Sequence, residues 1–200
     1  MSELLTYERE ITCDYSVYCG VDEAGRGPLA GPVYAAAVIM PKNFVIEKIN
    51  DSKKLTEKMR DKLYDEIIEA AESYAIASAS VDEIEELNIL NASQLAMRRA
   101  VDLLKVKPQI ALIDGNVARD FNIDTKCVIG GDAKCQSIAA ASILAKVARD
   151  RYMYELDKQY PQYGFAKHKG YGTKAHYDAI REYGLCNQHR PSFLRKFLNG

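Results

Sequence analysis

Four acids have the type and setting to do chemistry: Asp22 and Glu23, which are adjacent, and then Asp114 and Asp132. Adjacent carboxylates repel, so a fold that gathers them needs positive charge. Hard divalent ions such as Mg²⁺ are the usual partners, because they prefer oxygen ligands and take few of them from the protein. Asp22 and Glu23 follow Val17, Cys19 and Val21, which alternate with more polar neighbours at the period of a strand. Asp114 follows the apolar run 110–113, and Asp132 follows the short run 126–129 and two glycines. Three predicted strand ends would deliver these acids to one edge of a sheet, forming an oxygen-rich pocket for two divalent ions. Two-metal sites activate a water and stabilise the leaving oxygen in phosphoryl hydrolysis. None of the three histidines has metal-ligand spacing, which favours Mg²⁺ or Mn²⁺ over zinc. Taken singly, each acid has a plainer reading. The Asp-Glu pair reads as a solvated loop, Asp114 before Gly115 as a turn former, and Asp132 as the N-cap of the next helix, stabilising by about 1 kcal/mol.

Successive side chains on a regular strand point to opposite faces. Asp22 and Glu23 therefore share a site only where the strand ends or bulges, and the glycines that follow suit such an ending. The expectation is that Asp22 finishes the strand while Glu23 turns with the loop. The loop itself, Gly25-Arg26-Gly27-Pro28, misses the spacing of a dinucleotide fingerprint. Pro28 also removes an amide donor that a diphosphate needs.

With 200 residues and 48% hydrophobic content, the chain is expected to be one domain with a real core. No apolar run approaches the length of a membrane span, and residues 1–14 do not read as a signal peptide. Five cysteines, odd in number and without Cys-x-x-Cys spacing, argue against a zinc site or a disulfide framework and suit a reducing cytoplasm. The net charge of −1 conceals an asymmetry. Residues 1–100 carry 11 basic and 18 acidic side chains, against 16 and 10 in residues 101–200. A basic half permits a polyanionic partner.

Around these acids, the pattern predicts strands over 33–40 and 74–80, the first pairing with the opening strand as an antiparallel hairpin. Thr56 can cap a helix along Met59, Leu63 and Ile67, and Ser80 with Glu83 has the form of a capping box. A helix with Ile138, Ala141, Ala145 and Tyr152 on one stripe runs to Pro161. Lys134, Lys146, Arg149 and Arg151 around it read as surface cations. Residues 163–173 mix aromatics, cations and glycines, and read as a mobile loop suited to stacking and phosphate contact. Thr173 can cap another helix that Gly184 closes, and a short helix ends the chain.

The motifs Asp22-Glu-Ala-Gly-Arg-Gly-Pro-Leu-Ala-Gly-Pro32, Asp51-Ser-Lys-Lys-Leu-Thr56, Ile113-Asp-Gly-Asn116, Gly131-Asp132, Ala139-Ala-Ala-Ser-Ile-Leu-Ala-Lys146 and His168-Lys-Gly-Tyr-Gly-Thr173 occur in that order, followed by His189-Arg190 and Ser192-Phe193. This ordered set resembles the ribonuclease HII family over about residues 18–193. The resemblance implies an α/β fold, a ribonuclease H-like mixed β-sheet flanked by α-helices, with residues from about 161 to 200 as a helical, substrate-binding C-terminal extension. It implies that Asp22, Glu23, Asp114 and Asp132 hold Mg²⁺ or Mn²⁺ and are catalytic. It also implies that Gly25, Arg26 and Gly27 read the ribose 2′-hydroxyl and that Tyr171 stacks on a sugar. Lys53, Lys54, Ser142 and Lys146 would lie near the substrate. The implied reaction is hydrolysis of RNA in RNA–DNA hybrids, or at single ribonucleotides in duplex DNA, leaving 5′-phosphate and 3′-hydroxyl ends.

The residues agree with this reading: glycines let backbone approach a substrate closely, and the 2′-hydroxyl distinguishes RNA from DNA. Pro191 before Ser192 departs from the family pattern, and residues 194–200 carry no sliding-clamp motif. A cytoplasmic monomer without membrane contact is expected. The alternatives are the sister type, ribonuclease HIII, whose N-terminal extension has no counterpart in the residues before Tyr18, and a hybrid-binding protein without catalysis.

Overall fold

The computed structural model describes residues 3–42, 44–46, 49 and 55–199. Five strands form one mixed sheet in the order β3-β2-β1-β4-β5. β1 (Tyr18–Ala24) pairs antiparallel with β2 (Val33–Ile39), and β2 with β3 (Ser73–Ala79). β4 (Ile110–Asp114) and β5 (Asp124–Val128) join parallel on the other side of β1.

Helices cover both faces, so the inner strands are apolar on both sides. Along β2, Val33, Ala35, Ala37 and Ile39 pack with α3 (Val81–Asp102), while Ala36 and Val38 pack with α2 (Glu57–Ala70) and α4 (Gln136–Gln159). Thr56 caps α2 by accepting from Met59 N, and Ser80 and Glu83 form the capping box of α3. α3 kinks at Asn88, whose φ is 66°.

α4 is the central helix and lies unusually close to the sheet. A Cβ on Gly20, in the middle of β1, would sit 2.1 Å from the Ser137 carbonyl carbon and 2.3 Å from Ile138 N. Only a glycine lets the strand touch the first turn of the helix, and Ala139, Ala140 and Ala141 keep the next turn close. Asp132 does not cap α4, so the plainer of the two readings of this acid does not hold. It lies in a separate 3-10 turn, Gly131–Ala133, and the cap position of α4 is Cys135, which makes no side-chain cap bond. The buried Glu8 of α1 (Glu3–Ile11) accepts from Ser137 N at 3.1 Å instead, satisfying an otherwise unpaired amide of that first turn.

After α4 the chain forms α5 (Phe165–His168), α6 (Lys174–Tyr183) and α7 (Pro191–Leu198), with Thr173 capping α6 and Gly184 ending it. The stretch 163–173 is not the mobile loop expected. Tyr163 and Phe165 are buried and stack at 5.3 Å, anchoring it to α4. All five cysteines are free thiols. Among the described residues no helix is long and apolar enough to cross a membrane.

Gly20→Ala tests the strand–helix contact. Because the added methyl meets backbone atoms that cannot rotate away, it should cost about 3 kcal/mol or more. Thermal unfolding should show a fall in Tm of roughly 6–12 °C. A loss below ~1 kcal/mol would mean that α4 can slide on the sheet.

Candidate active site

The ladder of β1 continues without a bulge through Asp22↔Ala36, Glu23↔Ala35 and Ala24↔Tyr34. The strand does not finish at Asp22, and Glu23 does not turn with the loop. The pairing of β1 with β4 does stop, at Val21↔Ile113. Regular alternation puts Cys19 and Val21 on the α3 side, so Asp22 faces α4 and Glu23 faces α3. Both still reach one cleft, because beyond Val21 the edge of β1 is no longer covered by β4.

Asp114 is the last residue of β4. It lies one step past the Val21↔Ile113 pair, on the same face as Ile110 and Leu112, so the parallel register stands it beside Asp22. Its Oδ1 accepts from Gly131 N at 2.6 Å, which ties the turn containing the buried Asp132 to the strand end. Asp22 Oδ1 accepts from Glu23 N at 2.7 Å, and the Ser142 hydroxyl of α4 also bonds the Asp22 carboxylate. The cleft is about 450 Å³ and is lined by Asp22, Glu23, Ala24, Gly25, Arg26, Gly27, Arg60, Asp114, Ser142, Lys146, Arg149 and Tyr171. Asp132 is buried and is not among the residues that line it.

The acids repel one another strongly. Burial, then the charges of Glu23 and Asp114, push the Asp22 carboxyl well above its usual range. The bonds from Ser142 and the Glu23 amide oppose this. Burial also raises Glu23, against the pull of the Arg26 guanidinium 3.3 Å away. Among the described residues, no three His, Cys, Asp or Glu side chains close around a single point. An open set of carboxylates suits Mg²⁺ or Mn²⁺ better than zinc, since Mg²⁺ keeps several waters and takes only one or two carboxylates. The donor chemistry therefore fits a hard divalent ion.

On the far side of the cleft, Gly25 has a φ of +102°, and a Cβ there would meet the Arg149 side chain at 2.1 Å. Gly27 has room: a Cβ would sit 3.6 Å from Tyr171 Cε1, so that ring borders the glycine loop directly. Tyr171 is 46% exposed and presents its ring to solvent. Its carbonyl accepts from His176 Nδ1 at 3.0 Å, so His176 Nε2 is bare and accepts from His189 Nε2 at 3.1 Å. His189 Nδ1 in turn accepts from Cys186 N. Both imidazoles are neutral in this chain of bonds, and burial pushes each down to about 4.

Ser142 and Lys146 lie on the cleft as expected, with Lys146 also paired to Asp150 at 2.8 Å. Lys53 and Lys54 lie outside the described residues. Sequence reasoning missed Arg60 and misplaced Arg149. Arg149 is 1% exposed and donates to the carbonyls of Ala30, Pro32 and Lys169, so it is not a surface cation. Its signal was available: Ser142, Lys146 and Arg149 follow at i, i+4 and i+7, one face of a helix.

Over residues 19–196 the chain matches the ribonuclease HII family model. It is 53% identical over 197 residues to the ribonuclease HII of Acetivibrio thermocellus, covering 98% of this chain and 77% of that one. Among solved structures it resembles the ribonuclease H2 of Pyrococcus horikoshii OT3, with a TM-score of 0.75 and 26% identity over 92% of this chain and 97% of that one. A Bst-RNase HIII solved in complex with Mn²⁺ shares the fold, with a TM-score of 0.65 and 21% identity over 84% of this chain and 63% of that one. The mixed sheet with flanking helices is thus the ribonuclease H-like fold that the motifs implied.

The raised acids make a stability prediction. A carboxyl whose folded pKa lies above its unfolded value contributes stability at low pH and loses it as pH rises through the folded value, because the native state then binds more protons than the unfolded one. As pH rises the metal-free protein therefore takes on repelling charges, and Asp22→Asn cannot carry one at that position. In chelator, the variant should melt higher by about 2–4 °C, the shift that ~1 kcal/mol gives in a domain of this size. Its Tm should also fall less steeply with rising pH. A variant that melts lower than wild type across the pH range would contradict this account.

Proposed function

Since the chain belongs to the ribonuclease HII family and is an endonuclease of the ribonuclease H type, we propose that it nicks the RNA strand of RNA–DNA hybrids and duplex DNA containing single ribonucleotides, using Mg²⁺ or Mn²⁺ held by Asp22, Glu23, Asp114 and Asp132. The observation that carries this reading is the parallel register that stands Asp22 beside Asp114, with Glu23 on the same cleft. The Mn²⁺ in the HIII relative of the same fold supports the choice of ion, and the family match favours the HII type over that sister. Divalent ions in such a site stabilise charge on the scissile phosphate and make water a nucleophile near neutral pH.

The chain's own residues do the rest. Ser142 holds the Asp22 carboxylate in the orientation that faces the cleft. Lys146 and Arg60 form a cationic rim for the phosphates either side of the cut, and Lys53 and Lys54 are assigned to the same strand. Gly25, Arg26 and Gly27 bring bare backbone to the ribose, where a 2′-hydroxyl can be recognised. The Tyr171 ring packs on the next sugar, so the enzyme senses a ribonucleotide followed by deoxyribose without reading bases. Residues from about 161 to 200, which supply Tyr171, serve as the substrate-binding extension.

Asp22→Asn should lower the nicking of a duplex with one ribonucleotide by on the order of 10²–10³-fold or more, as loss of a preorganised electrostatic element does. Undiminished nicking would sink the assignment. Tyr171→Ala should cost about 10²-fold through misplacement of the sugar, with Mn²⁺ affinity unchanged by calorimetry. Gly27→Ala should leave stability within ~0.5 kcal/mol of wild type, because its methyl meets the ring at ordinary contact distance. It should nonetheless lose most nicking by filling the gap between loop and ring.

A further inference from the structure

Arg190 is fully buried, and its guanidinium makes five hydrogen bonds, all to carbonyl oxygens of the glycine loop. Nε donates to Gly31 O at 2.9 Å, Nη1 to Arg26 O and Pro28 O at 3.1 and 2.9 Å, and Nη2 to Gly25 O and Gly31 O at 2.8 and 2.6 Å. Its own amide donates to Leu29 O at 2.8 Å. The side chain therefore grips one side of the loop along most of its length.

The other side of the loop follows from peptide geometry. A planar trans peptide points its N–H opposite to its C=O, and among the described residues no peptide is cis. Because the Gly25 and Arg26 carbonyls face Arg190, the Arg26 and Gly27 amides face away from it. Gly25, Arg26 and Gly27 all line the cleft, so these two N–H groups are turned toward the substrate. We propose that Arg190 is a positioning residue for ribonucleotide selection: by binding the Gly25 and Arg26 carbonyls, it fixes the two amides that meet the ribose. This rests on the reading of the loop as the ribose reader. Arg190 itself touches no substrate, since the loop lies between it and the cleft. A lysine keeps the charge but cannot span carbonyls from Gly25 to Gly31 with one ammonium.

The test is steady-state nicking of a single-ribonucleotide duplex by the Mg²⁺- or Mn²⁺-loaded protein, with an all-DNA duplex of the same sequence as competitor. Arg190→Lys should lower kcat by about 30–100-fold. KM and the inhibition constant of the all-DNA competitor should change by less than about three-fold, because the phosphate contacts remain. Val101→Ala, in the α3 core away from the cleft, controls for lost stability, and should lower Tm while keeping kcat. An Arg190→Lys protein with wild-type kcat, or one whose affinity for the all-DNA duplex falls in step with kcat, overturns the proposal. Where that variant does not fold, Phe193→Leu replaces it, because the Phe193 ring lies 5.1 Å from the guanidinium carbon and supports its plane. It should lower kcat by roughly three- to ten-fold, and an unchanged kcat again overturns the proposal. The two readings fail separately. Full nicking by Gly27→Ala removes the loop as ribose reader, whereas loss in Gly27→Ala with full nicking by Arg190→Lys removes only the role of Arg190.

Discussion

Carboxylates held together against their own repulsion are the constraint from which the rest of this structure follows. Asp22 and Asp114 stand on neighbouring strands of a parallel pair, and Glu23 shares their cleft. Packing, not pairing, keeps them there. β1 is clamped between β2 and β4 and pressed on α4, and the clamp is tight because Gly20 has no side chain to hold the helix off. That approach brings Ser142 within reach of Asp22. The alanines of α4 and the glycine of β1 are thus parts of the acid site, although neither has chemistry of its own.

Positive charge is arranged around the acids without cancelling them. Arg149 and Arg190 are buried just beyond the glycine loop, and their donors are occupied by carbonyls of residues 25–32 and 169. Had either paired directly with Asp22 or Asp114, the oxygens facing the cleft would be taken by a guanidinium. Bonded to carbonyls, the arginines spend their hydrogen bonds on shaping the loop. Arg26 is the exception: it reaches Glu23 from an exposed position, where a bond is weak enough to exchange.

Much of this was legible in the sequence, and the failures have physical causes. The capping residues Thr56, Ser80 with Glu83, and Thr173 were readable because a cap is a local interaction. The strands were readable from apolar runs, and the acids from their place after those runs. What failed was non-local. The end of β1 was misjudged because a strand stops where its partners stop, and β2 continues while β4 does not. The plainer reading of Asp132 as a helix cap fails because Glu8, well over a hundred residues earlier, supplies a bond to that helix end. Arg149 read as a surface cation because burial of an arginine depends on carbonyls brought from elsewhere in the chain. The same holds for Tyr163 and Phe165, polar company in sequence but core in space.

The two halves of the cleft are held by different parts of the molecule. The acids belong to the central sheet and α4. The glycine loop and Tyr171 depend on the last third of the chain: Leu29 N donates to Gly170 O, Gly31 N donates to Gln188 O, and Ala30 bridges His189. Neighbouring residues near the end of the chain reach both sides, Arg190 holding the loop and His189, through His176, holding the Tyr171 carbonyl. Local opening of this segment would release the loop and the Tyr171 ring while leaving the acids in place, since the two regions need not open together. The two halves of the cleft are therefore separable physically. The same segment ties loop and ring into a single surface, so loosening it displaces both at once. The acids are thus held by the sheet and α4, and the loop and ring beside them by contacts from residues 170 and 188–190.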